Sequence, residues 1–509
     1  MPTKRQLDPE IITRFFPEDG QTHGGINKPG ILSRWFIGET DYHDLENWMP
    51  LEDMIQQTPA STLIVQIASP VYWMTCLSLN QATYLYCLGT NGHMYQVSLG
   101  GAVTDLTSGS PAFSVNSDIA IWQGSTILIT DLNAAKIYSW TGSVFATVFS
   151  SQPAQFITTY AGRLWMANQN TITFTASGTY NSLGGDSGSF QVTDSDCPPP
   201  IRALFAFGGN LYVFGYTWVK IYGGLYDSGS PAVLQFTQST LTDEAGLYSK
   251  WSLLPFGYAV KYASLFGIWS LLGSQPVFDS EKVGGFFQQL TLSGTSFSAA
   301  FAPILGVPCF MWQIQFAEDS TYRLLCQTYE QQPKWFTVNA GNINFITYGV
   351  NQATGQQQAF GIDTSNNIYT LFSNATGTVT SVAKTKMLSL GSRIREKSIG
   401  RVGAEMVVNA GATVTVTVED ENMNPYSPDL QSLNPSTAFL WTNGGMTFNW
   451  TNGGSAFNWT TRGKQYEFVQ CDIPITVRKL AIDWTVTSSQ AVIGAFAVES
   501  QELPADWGP

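Results

Sequence analysis

From about residue 60 onward, the chain alternates short apolar-aromatic runs with polar turn residues, a pattern typical of short β-strands. A hairpin recurs along it: an apolar strand, a polar turn, then a strand with an aliphatic–aromatic pair. The copies begin near residues 84, 127, 162, 209 and 359, with weaker ones at 266–278 and 311–325. Propeller blades are four-stranded sheets of roughly 40–50 residues, which matches this spacing. We therefore predict an all-β fold with a β-propeller of about seven blades over residues 60–383, the alternative being unrelated hairpins in two sandwiches.

The two ends of the chain show different patterns. Residues 1–59 are rich in proline, glycine and charge without sustained alternation, which predicts an extended N-terminal arm that lies on another surface. Residues 412–418 and 481–486 alternate strictly between apolar and polar positions, as half-buried strands do. The segment 384–509 is therefore predicted to hold a C-terminal β-sandwich-like domain.

A nine-residue tandem repeat lies inside this C-terminal region, with tryptophans at Trp441, Trp450 and Trp459. In each unit a phenylalanine lies two residues before the tryptophan, so both rings share one strand face. The Asn-Gly dipeptides that follow favour tight hairpin turns. The expected result is a small meander with an aromatic stack. That stack is either a buried core or an exposed surface for a sugar or a partner protein, and the sequence favours neither.

Basic residues are concentrated in residues 384–402. We single out Arg393, Arg395, Lys397 and Arg401 as a candidate surface facing a phosphate or a partner protein. The other interpretation, which we favour, is a solvated linker and strand edge where two domains join.

Composition excludes several function classes. Charged residues make up 12% of the chain and the net charge is −13, so general binding of nucleic acid is not expected, because phosphate contacts require lysine and arginine. The six cysteines form no CxxC pair and are predicted to be reduced core residues. The beginning of the sequence has no apolar signal segment, and no run of about 18 apolar residues occurs, so no membrane insertion is predicted.

Candidate catalytic groups are sparse. There are three histidines, and two of them lie in the predicted arm. No zinc-protease, Walker A or dinucleotide motif is present. Asp194 and Asp196 could form a pair of carboxylates, but a turn or capping role is far commoner for such residues. We predict a protein that is not an enzyme, with no catalytic, cofactor-binding or metal-binding residue.

Two hairpin segments and the residues between them carry a resemblance to a known family. They are residues 156–167, which include Gly162-Arg163-Leu164-Trp165, and 190–194 and 201–214, which include Gly208-Gly209-Asn210-Leu211. This arrangement resembles the tail nozzle proteins of short-tailed bacteriophages, also described as packaged-DNA stabilisation or tail-tube B-type proteins. The basic stretch 392–397 followed by a sandwich is similar too. The sequence departs from the family pattern at 193–196 and in the prolines at 198–200.

The resemblance implies a structural protein of the virion tail, assembled in the host cytoplasm. It implies a homo-hexameric ring below the head-to-tail adaptor, with tail fibre or spike proteins as further neighbours. The ring would retain packaged DNA and conduct it during ejection without specific binding. A basic lumen would hold duplex DNA by counterion release, so the channel should be neutral or acidic and the 384–402 segment should face elsewhere. The alternatives are a carbohydrate-binding or glycan-processing β-propeller and a generic propeller scaffold.

Overall fold

The computed structural model describes residues 11–18, 21–28, 33–35, 37–107, 111–229, 233–257, 259–272, 275–287, 297–315, 321–352, 354–391, 393–409, 412–428, 442–443, 446–447, 450–452, 455–457 and 465–503. The chain forms two compact units. The propeller unit is residues 61–329 with 339–371, and the sandwich unit is residues 1–60 with 330–338 and 372–509. The segments predicted as an N-terminal arm and a C-terminal domain thus belong to one unit.

The N-terminal segment is extended backbone built into the sandwich unit. It forms one 3-10 turn, Ser33–Trp35, and four short strands: β1 (Ile11–Phe16), β2 (Tyr42–Glu46), β3 (Trp48–Pro50) and β4 (Ile55–Gln57). Phe16, Tyr42 and Trp48 are buried. The N-terminal segment has no regular alternation, but the burial of these large rings anchors it in the core of the sandwich unit.

The propeller unit begins at β5 (Ala60–Gln66), and four blades follow in chain order. Blade 1 is β6–β9 (Val71–Leu79, Ala82–Gly89, Met94–Ser98, Val103–Asp105) and blade 2 is β10–β13 (Ile119–Trp122, Thr126–Asp131, Lys136–Trp140, Phe145–Phe149). Blade 3 is β14–β17 (Phe156–Tyr160, Arg163–Asn168, Thr171–Phe174, Gly188–Gln191) and blade 4 is β18–β21 (Ala203–Phe207, Asn210–Phe214, Val219–Ser228, Val233–Thr242). Each is an antiparallel four-stranded sheet.

Three further sheets complete the ring. After the 3-10 turn Lys250–Ser252, blade 5 is β22–β25 (Leu254–Phe256, Ala259–Ala263, Ile268–Leu272, Gln275–Phe278), followed by a turn at Glu281–Val283 and the helix α1 (Gly284–Phe287). Blade 6 contributes β26–β28 (Ala299–Ile304, Val307–Gln315, Tyr322–Thr328), and the next strand, β29 (Trp335–Val338), belongs to the sandwich unit. Blade 7 is β30–β32 (Ile343–Asn351, Gln356–Asp363, Asn367–Asn374) with β5 as its fourth strand.

The described strands of this unit therefore form seven sheets, and the predicted β-propeller is confirmed. The ring is closed by joining its first strand to its last blade: the Ile67 amide donates to the Asn366 carbonyl at 3.0 Å, and Gln66 Nε2 donates to the Ser365 carbonyl at 3.0 Å. Closure of this kind hides sheet edges that would otherwise pair with other chains.

The hairpin repeat seen in the sequence corresponds to the second and third strands of the blades, except that the weaker copy at 266–278 covers the third and fourth strands of blade 5. Leu85 pairs with Val97, Ile129 with Tyr138, and Leu211 with Tyr222. Several aromatic residues of these hairpins are buried, namely Tyr95, Tyr138, Trp165, Tyr212 and Tyr222. Tyr369 is half-buried, and its hydroxyl donates to Asp363 Oδ2 at 3.1 Å.

Of the segments that resemble the nozzle family, residues 156–167 form the first hairpin of blade 3 and residues 201–214 contain the first hairpin of blade 4. Each hairpin turns through two residues with positive φ, Ala161 and Gly162 in blade 3 and Gly208 and Gly209 in blade 4. Such two-residue turns match the twist of the flanking strands, and glycine adopts them without steric cost. The motif therefore encodes tight propeller hairpins.

The sandwich unit is completed by strands from the C-terminal part of the chain. They are β33 (Val379–Thr385), β34 (Lys397–Val408), β35 (Thr413–Asp420), β36 (Pro425–Tyr426), β37 (Thr442–Asn443), β38 (Met446–Thr447), β39 (Trp450–Asn452), β40 (Ser455–Phe457), β41 (Gln465–Val477), β42 (Leu480–Ser488) and β43 (Ala491–Glu502). One sheet has the order β3-β4-β43-β34-β41 with β1 also on β43, and the other runs β29-β2-β33-β42-β35-β36. Because β33 pairs with β42, the sandwich unit already includes residues before 384, the boundary expected from the sequence.

Aromatic rings from both sheets meet in the interior of this sandwich. Tyr42 of β2 contacts Phe16 of β1 with ring centroids 5.3 Å apart, and Phe496 of β43 lies 6.1 Å from both Tyr42 and Trp484. The strictly alternating strand around Val416 pairs with β42 as its pattern predicts, with Val416 opposite Trp484.

The tandem tryptophan repeat lies largely outside the described residues, including Trp441 and Trp459. The described backbone forms two small hairpins, β37 with β38 and β39 with β40, and Trp450 begins β39. Asn443 pairs with Met446 and Asn452 with Ser455, so each asparagine belongs to a strand and not to the turn. Whether the three rings stack stays a prediction. No helix in the described ranges is long and apolar enough to cross a membrane.

Candidate functional site

The basic segment of the sandwich unit divides into residues with different surroundings. Arg395 and Arg401 are exposed and each lies beside carboxylates. Arg401 Nε is 2.9 Å from Asp472 Oδ1 and 4.0 Å from a carboxylate oxygen of Glu499, while Arg395 Nη1 is 3.3 Å from Glu502. Surface pairs of this type contribute little to stability, but their charges are compensated.

Lys397 is in the interior of the sandwich unit. Its residue is fully buried at the start of β34, and Nζ donates to the carbonyl oxygens of Arg395 at 2.9 Å and Arg478 at 3.0 Å. Burial lowers the pKa of this ammonium group, and Glu502 opposes that shift. A cation that binds backbone carbonyls inside the fold is not placed to face a partner, so Lys397 has a structural role.

Arg393 lines a pocket of about 420 Å³ together with three other cations, Arg14, Lys386 and Lys479. Two carboxylates, Glu18 and Glu39, also line it. We call this feature the basic pocket. Its wall includes apolar residues as well, among them Trp35, Ile37, Met387, Leu388 and Leu390.

The cations of the basic pocket are poorly compensated. Among the described residues, no carboxylate lies within 4 Å of the charged groups of Arg14, Lys386 or Arg393. Arg14 Nε is buried without a hydrogen-bond partner in the same part of the structure. The Lys479 ammonium lies 4.9 Å from the centre of the Trp35 ring, a cation–π contact.

The charges that line the basic pocket favour an anion, because four of them are positive and two are negative. Burial lowers the pKa of Lys386, Glu39 and Asp41 oppose the shift, and Arg393 adds to it. An anion in the pocket would relieve the repulsion between the cations and accept the unused donors in charge-assisted hydrogen bonds. The arrangement suits carboxylate or phosphate oxygens.

Sequence reasoning identified Arg393 and the surrounding basic stretch but missed Arg14 and Lys479. Arg14 reaches the pocket because β1 pairs with β43, where it lies opposite Val498. Lys479 reaches the pocket because its neighbour Leu480 forms a β-bridge with Leu388. Both pairings join segments about 90 residues or more apart in the chain, and no local pattern marks either residue.

The two carboxylates considered for catalysis are arranged differently from an acid–base pair. Asp194 forms an ion pair with Lys220, and this hydrogen bond lowers the pKa of Asp194. The Asp194 carbonyl also accepts the Cys197 amide at 3.0 Å, which closes a turn, and Asp196 is exposed. A general acid requires a raised pKa, so Asp194 serves as an anchor for the turn and for buried Lys220.

Comparison with known proteins gives similarity at the level of structure. No family model matches the chain, and no curated protein is similar to it. Among solved structures, BamB from Moraxella catarrhalis is similar over 64% of this chain and 93% of its own, at 13% identity and a TM-score of 0.36. A streptogramin B lyase is similar over 62% of this chain and 97% of its own, at 12% identity and a TM-score of 0.39. Neither similarity bears on function.

Proposed function

We propose that this chain is a structural subunit of the nozzle of a short bacteriophage tail, where copies form a ring that retains packaged DNA and conducts it during ejection. In this proposal the basic pocket binds an acidic segment of a neighbouring copy. The observation that carries the assembly role is the convergence of Arg14, Lys386 and Arg393, which form no ion pair with any described residue, in a chain of net charge −13.

Charge complementarity supports assembly between copies of the same chain. An acidic protein offers many carboxylates, and a pocket with spare cations gives them one preferred place to bind. A contact between two different surfaces of identical subunits generates a closed ring when its rotation permits. The hexamer number and the virion setting rest on the resemblance to nozzle proteins.

The role in DNA passage is consistent with the charge distribution. Arg395 and Arg401 are neutralised by neighbouring carboxylates, and Lys397 is buried. A chain with 37 acidic and 24 basic residues repels duplex DNA at long range, so a ring of such chains would guide DNA without gripping it. Retention would then be steric.

Mass photometry tests the assembly, with and without the head-to-tail adaptor. We expect rings for the wild-type protein and at least a tenfold weaker assembly for Lys386→Gln/Arg393→Gln, since two charge-assisted contacts are lost. Arg401→Gln is the matched control, because it removes a compensated cation outside the pocket.

Two results would overturn the proposal. The first is a strict monomer both with and without the adaptor, or assembly that the double variant leaves unchanged. The second is tight, salt-sensitive binding of duplex DNA at physiological ionic strength that the double variant abolishes, because the pocket would then be a phosphate-backbone site.

A further inference from the structure

The turn between blades 4 and 5 contacts blades on the other side of the propeller. The first strands of successive blades adjoin one another around the ring, as β10 with β14 and β14 with β18 do, so they form its inner wall. Trp251 lies after blade 4 in the chain but stacks on Trp73 of blade 1, with centroids 5.0 Å apart, and contacts Phe345 of blade 7 at 5.9 Å. The aromatic contacts of Trp251 therefore extend across the centre of the propeller.

Hydrogen bonds fix this turn in place. Asp118, which is buried, forms an ion pair with Lys250, and its two oxygens accept the amides of Ile119 and Ile157, both at 2.8 Å. Trp73 Nε1 donates to the Ser117 carbonyl at 2.9 Å. Asp118 thus has three donors and Lys250 has a carboxylate partner, so these two charges compensate each other.

A pocket of about 280 Å³ opens beside this turn and is lined by Asp118, Arg202, Tyr216, Tyr248, Lys250 and Trp251, among other residues. We call it the axial pocket. Its lining includes one carboxylate and two cations, and the carboxylate is paired with Lys250. The charge that remains is that of Arg202.

Arg202 is held in position but not neutralised. Its guanidinium carbon lies 4.2 Å from the centre of the Tyr216 ring, and Nη2 donates to the Tyr248 carbonyl at 2.7 Å. Nε is buried and has no hydrogen-bond partner in the described part of the chain, where no carboxylate is within 4 Å of Arg202 either. A half-buried guanidinium with an unused donor and no counter-charge is costly unless an anion binds it.

We propose that the axial pocket binds a small molecule that carries one carboxylate or phosphate group next to a sugar-like ring. The oxyanion pairs with Arg202, whose planar fork suits two-point recognition of such groups. The ring packs against the aromatic side chains of Tyr248 and Trp251. Pockets for small ligands typically span ~300–1,000 Å³, and the axial pocket, at about 280 Å³, lies just below that range, so it suits a ligand no larger than a monosaccharide.

This inference is independent of ring assembly. Every lining residue named here belongs to the propeller unit, whereas the basic pocket belongs to the sandwich unit. Ligand binding can therefore be measured on the full-length protein in its monomeric or assembled form. Loss of the ring through Lys386→Gln/Arg393→Gln should leave ligand binding unchanged, and loss of ligand binding should leave the ring unchanged.

Isothermal titration calorimetry with glucuronate, glucose and inorganic phosphate tests the site. We expect glucuronate to bind the wild-type protein, glucose to bind at least tenfold more weakly, and Arg202→Gln to weaken glucuronate at least tenfold. Lys136→Gln, which removes a cation from β12 outside the pocket, should bind like wild type. Arg202→Lys keeps the charge but loses the fork, so its affinity should be intermediate.

The phosphate arm identifies the source of the anion. Phosphate that binds as tightly as glucuronate, and is lost in Arg202→Gln, supports an oxyanion site in which the phosphate group is the natural feature. Equal binding of glucuronate by wild type and Arg202→Gln would overturn the proposal. The proposal would also be overturned if neither anion bound at concentrations up to about 10 mM, which is roughly 10⁴ times a micromolar Kd. Thermal unfolding of each variant separates lost binding from lost folding.

Discussion

The propeller and the sandwich units are both built from antiparallel strands, but they recruit those strands differently. In the described propeller sheets, neighbouring strands are neighbours in the chain, and the exception is β5, which joins blade 7. In the sandwich, Ile11 pairs with Gln501 and Tyr42 with Thr385. Local pairing leaves a period in the sequence, whereas pairing between distant segments leaves none. A sequence repeat therefore predicts a fold only where strands that are neighbours in the chain also pair with each other.

Both units bury charged side chains. The propeller buries Arg163 of blade 3, and the sandwich buries Lys397 and Arg34, the latter paired with Glu419 and Asp483. The sandwich differs in that it also contains two histidines that burial keeps neutral, His23 and His43. A fall in pH through the histidine range should therefore act mainly on the sandwich.

Arg163 joins two blades and should produce the largest effect. Its Nη2 contacts Asp186 Oδ2 at 2.5 Å within blade 3 and Asp227 Oδ1 at 2.8 Å in blade 4, while Nη1 donates to the Thr175 carbonyl at 2.8 Å. Its hydrogen bond lowers the pKa of Asp186. Five donors in a planar fork allow this single side chain to bind several acceptors at once.

We predict that Arg163→Met reduces the free energy of unfolding of the propeller by about 2–3 kcal/mol, because it removes hydrogen bonds to two carboxylates that are themselves partly exposed to water. Urea denaturation followed by tryptophan fluorescence measures the loss. Lys136→Met is the control, since Lys136 has no ion pair among the described residues and should change stability by less than about 0.5 kcal/mol. A loss below about 1 kcal/mol for Arg163→Met would contradict the predicted role.

The buried histidines make the sandwich the acid-sensitive unit. Burial lowers the pKa of His23 to about 4 and that of His43 to about 3, with Lys28 and Arg34 adding to the second shift. His23 Nε2 donates to the Gly494 carbonyl at 2.6 Å, so Nδ1 is the acceptor for the Tyr42 hydroxyl, also at 2.6 Å. Only the bond at Nδ1 requires the neutral ring, because Nε2–H donates in either protonation state and the Gly494 carbonyl accordingly raises the pKa of His23.

We predict that the sandwich loses stability as pH falls from about 6.5 to about 4. Each histidine has a lower pKa in the folded state than in the unfolded state, so the unfolded chain binds more protons in this window and is favoured by acid. For His23 the loss is about 3 kcal/mol at 1.36 kcal/mol per pH unit. The check is the midpoint of urea unfolding from pH 7.5 to 4.

His23→Gln sharpens this test, because a glutamine side chain offers one donor and one acceptor and does not titrate. The variant should have a smaller pH slope between 6.5 and 4 than wild type while retaining most of the stability at pH 7.5. An unchanged slope in both His23→Gln and His43→Gln would show that other groups cause the acid sensitivity.

The sequence predicted the propeller and its blade hairpins because side chains such as Leu85, Ile129 and Leu211 mark each local strand pair. It also predicted the sandwich strand around Val416 from simple alternation. It could not place Arg14 in the basic pocket, because that position depends on the pairing of β1 with β43. Arg202 and Trp251 escaped notice for a related reason: each is an isolated residue in a connection between strands, and its importance comes from the closure of the ring.

The smallest effect is expected on the surface of the sandwich, at Arg401. Its ion pairs with Asp472 and Glu499 join exposed side chains, and water and salt screen such pairs. We predict that Arg401→Gln changes the free energy of unfolding by less than about 0.5 kcal/mol, and that raising the salt concentration from 0.05 to about 1 M removes even that difference, since the Debye length falls to about 3 Å. Urea denaturation at the two salt concentrations measures both quantities. A loss above about 2 kcal/mol, or one that persists at high salt, would mean that exposed Arg401 stabilises the sandwich as buried Arg163 stabilises the propeller, and the distinction between exposed and buried ion pairs would fail.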